Sequence, residues 1–435
     1  ITLKSDFLVK GGAGTGKTLI LLEAMKEANA GILPFANKKM LLLTYTNTLV
    51  KYDRYISDIM KIDDGESQIN TADSYLNNIF ENFFPAYTID YSIAQNLCRE
   101  LNDTDFFNDK QLKVEIEDFL LGYNISGKEY LDEMINRKGM KSKLTILQRQ
   151  KVWEIKTSME KKMLNEKTLS KSFSRFQLLG ENLIREFDHI FIDESQDLYP
   201  IELQLLKRLS RSSLIMAGDT DQSIYGIGAP YERARISSGA TTRILKTNFR
   251  NTIPIHSLAE TFRTGKGAEF DKGITPEAFR DGPVPELYQS ADTEILYDQL
   301  VEKVKIFVNT IEYDPENICI LAPSAKFLNK IGEKLHSEGF SSVNIKDPEF
   351  HFTSQGSIRL SPLHSSKGLD IPVVLLFLPV LFYNRELDKE ESENLVRNLL
   401  YVSMTRAMEN LNVFIKEDSK DPVLRDLVKV MERIS

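Results

Sequence analysis

Eight residues near the start of the chain, Gly11-Gly12-Ala13-Gly14-Thr15-Gly16-Lys17-Thr18, have the types and spacing of a phosphate cradle. Glycine lets the backbone wrap closely, so that N–H groups point inward at the N-terminus of the following helix. In the pattern G-x-x-x-x-G-K-[ST] the lysine reaches the β- and γ-phosphates and the hydroxyl ligates Mg²⁺. The expected ATP contacts are therefore Gly12, Ala13, Gly14, Thr15, Gly16, Lys17 and Thr18, with Thr18 on the metal. A second element of chemistry lies at Ile190-Phe191-Ile192-Asp193-Glu194, where an apolar strand delivers two carboxylates to its C-terminal end. In open parallel sheets that end is where ligands bind. Asp193 suits a Mg²⁺ contact through water, and Glu194 suits the base that orients and deprotonates the attacking water. An isolated Asp-Glu pair after a strand is more often a helix cap. Beside a phosphate loop the catalytic reading prevails.

These residues need a frame to hold them. Phe7 to Lys10 reads as a short strand, Leu19 to Met25 as a helix, and Lys39 to Thr44 as a second strand. Strand, glycine-rich loop, helix and strand open a βαβ unit with a parallel sheet, so the class is α/β. From about 75 to 186, Leu, Ile and aromatics recur at helical spacing and strand-like runs are scarce, which predicts a mostly helical insertion. Strand-loop-helix units return at His189–Ile192, Leu214–Gly218 and Ile318–Leu321, with later strands at Val373–Leu378 and Leu411–Ile415.

The 435 residues suffice for two or three domains, and 42% hydrophobic with 27% charged residues is an ordinary globular balance. The longest apolar run, Ile371 to Phe382, is too short to span a bilayer and carries two prolines, so no membrane association is expected. The first ten residues read as a strand and not as a charged-then-apolar leader, and a cytoplasmic location is expected. Cys98 and Cys319 make no disulfide framework and no zinc spacing. The net charge of −8 leaves nucleic-acid binding to local patches. One such patch, Lys151 to Arg175, reads equally as a solvated helix face or a nucleic-acid contact.

The blocks that follow resemble those of the UvrD-like superfamily 1 helicases. Asp193-Glu194-Ser195-Gln196-Asp197 resembles D-E-x-Q-D, and Gly218 to Tyr225 resembles G-D-x-x-Q-S-I-Y. Leu41 to Asn47 resembles T-[FY]-T-N, and Thr247 to Arg250 resembles N-[YF]-R. His364 to Asp370 resembles H-x-x-K-G-L-E, and Tyr401 to Ala407 resembles Y-V-A-x-T-R-A. The resemblance implies two RecA-like parallel-sheet domains with ATP between them. The implied boundaries are 1–75 and 187–243 for the first domain, 76–186 for the helical insertion and 244–435 for the second domain. It also implies Arg250 and Arg406 as arginine fingers and Gln222 as the γ-phosphate sensor. Phe249 is implied as the ring on adenine and Asp370 as the acid near the ribose, with Tyr45, Asn47, Tyr225 and His364 as nucleic-acid contacts.

Some positions depart from that pattern, and most of them face the track. Gly226 to Ala229 lacks the usual aromatic and arginine, Pro362 replaces a threonine, and Asp73 stands where histidine is common. The short stretch from Phe340 to Ser357 leaves no room for the large regulatory domain of bigger relatives. The few residues before Gly11 leave none for the upstream glutamine segment that reads adenine, so further N-terminal sequence is expected. Two functional readings follow. The first is an ATP-dependent translocase or helicase on single-stranded DNA. The second is a regulatory ATPase subunit that signals to a protein partner, such as a nuclease or RNA polymerase. A P-loop kinase or GTPase leaves Arg250 and Arg406 without a role.

Overall fold

The computed structural model describes residues 5–29, 39–62, 67–135, 143–218, 231, 233–234, 236, 242–264, 277–384 and 389–434. The chain opens with β1 (Phe7–Gly11), α1 (Lys17–Asn29), β2 (Met40–Thr44), α2 (Asn47–Ile59), β3 (Ser67–Thr71) and α3 (Ala72–Phe83). An excursion follows through β4 (Thr88–Ile89), α4 (Ile93–Leu101), α5 (Asp109–Lys113), α6 (Ile146–Asn165), β5 (Thr168–Leu169) and α7 (Lys171–Leu179). The chain then returns with β6 (Phe187–Ile192), α8 (Pro200–Leu209), β7 (Ser210–Gly218) and β8 (Thr242–Leu245). These strands form one all-parallel sheet in the order β3-β2-β6-β7-β1-β8.

The later half runs through β9 (Thr247–Thr252), α9 (Ile253–Thr264), β10 (Glu277–Arg280), β11 (Glu286–Ser290), α10 (Thr293–Lys305) and β12 (Ile318–Ala322). It continues with α11 (Ala325–Ser337), β13 (Ser342–Asn344), β14 (Ile358–Pro362), β15 (Ile371–Leu378), α12 (Lys389–Met404), β16 (Ala407–Lys416) and α13 (Pro422–Ile434). Its sheet has the order β11-β16-β15-β12-β14-β13 and is again parallel throughout. The fold is thus α/β with two RecA-like parallel sheets. Of the expected boundaries, 75/76 falls inside α3, 186/187 at the start of β6, and 243/244 inside β8.

The strand sequences explain the layering. Strands β2 (MLLLT) and β12 (ICILA) are buried along their whole length, as helices on both faces of a parallel sheet require. One core joins the first sheet to the excursion, with Leu41, Leu43 and Ile190 beside Val152, Met159 and Phe173. The helical insertion therefore packs as part of the first layer. Cys98 and Cys319 are both buried. Among the described residues no helix is long and apolar enough to cross a membrane.

Asp73, in the first turn of α3, ties the insertion to the sheet. It accepts from Arg175 at 2.9 Å and from the Tyr91 hydroxyl, and Lys171 Nζ stands 3.5 Å away. Arg175 is fully buried. Burial alone would raise the Asp73 carboxyl, but Lys171, Tyr91 and Arg175 together hold it below its usual value. A carboxyl depressed on folding stabilises above its unfolded pKa, and that contribution is lost as pH falls through the folded value. Asp73→Asn should therefore cost about 1–3 kcal/mol at pH 7, because buried Arg175 loses its charged partner and keeps neutral ones such as Asn77 Oδ1. Urea midpoints of the two proteins should converge as pH drops below about 4. A gap that persists undiminished at lower pH would show that the charge is not what stabilises.

Candidate functional site

The phosphate loop joins β1 to α1, and two of its glycines need their freedom. Gly14 and Gly16 have φ of 71° and 81°, a left-handed region that side chains resist. A Cβ on Gly14 would also lie 2.2 Å from Asn248 Oδ1 and 2.7 Å from Arg250 Cβ. The loop is thus in van der Waals contact with the start of the second half, and Phe249 N donates to Gly14 O at 2.8 Å. Lys17 is buried and donates to the carbonyls of Gly11 (2.8 Å) and Gly12 (3.0 Å). Thr15 Oγ1 donates to Gly12 O at 3.0 Å.

Thr18 Oγ1 donates to Asp193 Oδ2 at 2.5 Å, which brings together residues 175 positions apart. Asp193 directly follows β6, and its N–H donates to Leu43 O at 2.8 Å, so the neighbouring strand sets its height. Burial, with Glu194 beside it, pushes the Asp193 carboxyl up to about 6. A hydroxyl and a carboxylate held together at a helix N-terminus are hard oxygen donors of the kind Mg²⁺ takes, so the residues fit that ion. Glu194 sits in the left-handed region at φ 51°, ψ 38°, which for a non-glycine residue costs about 1–3 kcal/mol. A tight turn holds it there, with Asp197 N donating to Glu194 O at 2.9 Å and Ser195 Oγ to Ala217 O at 2.7 Å. Burial would raise the Glu194 carboxyl. Lys367, Lys17, a hydrogen bond from Gln196 and Arg406 outweigh it and hold the group at about 2.

Lys367 comes from the second half. It is buried, and its Nζ lies 2.5 Å from Asp197 Oδ2 and 3.4 Å from Glu194 Oε2. Nearby, Asn248 Oδ1 accepts from the N–H groups of Arg250 (2.9 Å) and Asn251 (3.1 Å). Asn251 Nδ2 donates to the carbonyls of Thr405 (3.1 Å) and Ala407 (2.6 Å). These two asparagines therefore lock the block that carries Arg250 to the block that carries Arg406. Arg250 Nε pairs with Asp370 Oδ1, and burial, with Asp370 close by, raises the hydroxyl of Tyr52 on α2. Arg406 is buried, with Nε donating to Val402 O at 2.8 Å. Burial, with Arg250 close by, pushes its guanidinium down to about 9, and Asp370 and Glu194 partly offset this. Phe249 is 57% exposed and meets Phe279 edge-on at 5.6 Å, which leaves a ring face open beside the loop.

The expected track residues are more scattered. Tyr45 follows β2 and lines a cavity of about 330 Å³ between the first sheet and the insertion, with Asp73, Lys171 and Tyr199. Asn47 is exposed at the start of α2, and His364 is exposed in the turn after β14. Gln222 and Tyr225 lie outside the described residues, as do Gly226 to Ala229. The basic stretch from Lys151 is largely matched by acids. Lys151 pairs with Asp103 at 2.6 Å and Lys156 with Glu160 at 2.6 Å, and Lys162 pairs with Glu100.

Sequence reasoning passed over Tyr52, Asn251, Asp197 and Lys367. Asp197 and Lys367 stand inside the matched blocks, so their positions were visible. Their pairing was not, because it spans 170 residues. Tyr52 and Asn251 carry no local signal, since a tyrosine on an amphipathic helix and an asparagine after a strand usually only pack or cap.

Residues 1–229 match the family model described as the UvrD/REP helicase N-terminal domain. YjcD of Bacillus subtilis is 28% identical over 215 residues, a stretch covering 47% of this chain and 28% of that protein. DNA helicase II of Haemophilus influenzae is 25% identical over 326 residues, covering 64% of this chain and 41% of that protein. The mitochondrial ATP-dependent DNA helicase HMI1 of Saccharomyces cerevisiae is 35% identical over 99 residues, covering 21% of this chain and 14% of that protein. The chain thus spans at most 41% of the length of these relatives.

Proposed function

This chain belongs to the UvrD/REP helicase family, and from that premise we propose that it is an ATP-hydrolysing translocase or helicase on single-stranded DNA. The observation that carries the reading is one site made from both sheets. The first sheet supplies the phosphate loop, Thr18, Asp193 and Glu194; the second supplies Arg250, Lys367 and Arg406, held against that loop.

Phosphoryl transfer asks for positioning and for positive charge around a migrating phosphoryl group. In this reading Lys17 exchanges the carbonyls of Gly11 and Gly12 for the phosphates, and Glu194 orients the attacking water. Arg250 and Arg406 face the γ-phosphate from the second sheet, with Phe249 against adenine and Asp370 near the ribose. Thr18 and Asp193 would hold Mg²⁺, which supplies charge neutralisation at the phosphate oxygens when bound. Gln222 remains the proposed γ-phosphate sensor. Because the groups that grip ATP belong to two sheets, binding and hydrolysis alter how those sheets sit against each other. Tyr45, Asn47, Tyr225 and His364 are the proposed contacts through which that change steps along a strand, and base stacking on Tyr45 is worth about 1–3 kcal/mol.

The DNA helicase names of two of the relatives support DNA as the track. The test is the ATPase rate of the full-length protein alone and with single-stranded DNA, duplex DNA and RNA. A severalfold rise with single-stranded DNA is expected. A rate indifferent to every nucleic acid would overturn the translocase reading and leave the ATPase under the control of a protein partner.

A further inference from the structure

Asp53 lies on α2, six residues after Asn47, and is fully buried. Neither of its carboxylate oxygens has a hydrogen-bond partner among the described residues, and the same holds for Thr44 Oγ1 at the end of β2. A carboxyl shielded from water and without a donor is among the costliest groups a core can hold. Its place explains why this one is tolerated. The strand end beneath α2 is the one that accepts the Asp193 N–H, at Leu43 O. Burial, with Asp193 and then Glu194 nearby, pushes the Asp53 carboxyl well above its usual range. The nearby cations are engaged elsewhere: Lys17 binds loop carbonyls, and Lys367 binds Asp197 and Glu194. Asp53 is thus a buried carboxyl without a partner on the helix that follows β2, the strand whose end neighbours Asp193. Among the described residues no three acidic, histidine or cysteine side chains form a cluster that could hold an ion directly, which leaves Asp53 outside any direct ligand set.

We propose that Asp53 is a positioning acid of the Mg²⁺ site, its carboxylate accepting hydrogen bonds from water on the ion that Thr18 and Asp193 hold. The inference rests on the nucleotide-site reading above and adds a mechanical consequence. α2 begins at the proposed track residue Asn47, and it also touches the second sheet. Leu49 packs so closely on Gly368 that a Cβ there would lie 2.2 Å from Leu49 Cδ2, and the Tyr52 ring meets Phe352 edge-on at 5.2 Å. A hydrated ion held by Asp53 therefore joins track, metal and opposite domain through one rigid helix.

The experiment is equilibrium binding of a fluorescent ATP analogue to the full chain, titrated with Mg²⁺, for wild type, Asp53→Asn, Asp53→Leu and Asp193→Asn. Asp53→Asn and Asp53→Leu are each expected to raise the half-saturating Mg²⁺ concentration about tenfold. Neither should change nucleotide binding in EDTA, and neither should melt below wild type, since an unpartnered buried acid has been removed. A half-saturating Mg²⁺ concentration within twofold of wild type in a folded variant would overturn the proposal. So would failure of both variants to fold, because Asp53 would then be a structural group. If wild type itself needed no Mg²⁺, or Asp193→Asn bound it normally, the nucleotide-site reading would fail instead.

Discussion

Glu194→Gln is expected to lower ATP turnover by about 10²–10⁴-fold while leaving Mg²⁺-dependent ATP binding intact. Glutamine matches glutamate in shape, so the strained turn and the Lys367–Asp197 pair survive the change. What disappears is a carboxylate that the site keeps ionised, held at about 2 by Lys367, Lys17, Gln196 and Arg406 against its own burial. Such a group is a weak base as it stands. In the proposed mechanism Lys17 would move to the phosphates, which would neutralise one of the cations that depress Glu194 and raise its basicity when the water is oriented. Lys17→Ala should differ, losing affinity as well as turnover, because in the proposed site its charge would contact the phosphates in ground and transition states alike. Single-turnover hydrolysis alongside fluorescent-nucleotide binding separates the two. Near-normal turnover in Glu194→Gln would move the base to another acid.

Arg406→Ala should reduce turnover by about 10³–10⁵-fold, the range of an arginine finger, with a far smaller change in ATP affinity. The guanidinium is buried beside Arg250, and both effects push it down to about 9, so it is still charged at pH 7. An anion that develops charge between the two arginines relieves their repulsion most in the transition state, which is where binding energy accelerates a reaction. Arg406→Lys keeps a point charge but loses the planar fork that donates to Val402 and Thr405, so an intermediate rate is expected. A thermal melt of each variant distinguishes lost chemistry from lost folding. Full turnover in a folded Arg406→Ala protein would remove Arg406 from the site.

Much of this molecule was legible in the chain. The strands near Phe7, Met40, Ile190, Ile318, Val373 and Leu411 announced themselves because a strand buried on both faces of a parallel sheet must be a continuous apolar run. The helical texture between residues 75 and 186 was equally readable, since helical periodicity is a local property. Its packing was not: Val152 and Phe173 share one core with Leu41 and Ile190 of the first sheet, and sequence spacing says nothing about which faces meet. The basic stretch from Lys151 shows the same limit, because its partners Asp103 and Glu100 lie far upstream.

The phosphate loop and the Asp193-Glu194 pair were determined by the sequence itself, because each depends on neighbours within a few residues: glycines that free the backbone, an apolar strand that aims two acids. The tertiary structure decided everything that spans the cleft. It tied Phe249 to Gly14, set Lys367 between Asp197 and Glu194, paired Arg250 with Asp370, and buried Asp53 without a partner behind the acids. Charges interact through space with a strength set by distance and burial, and neither quantity can be read from positions along a chain.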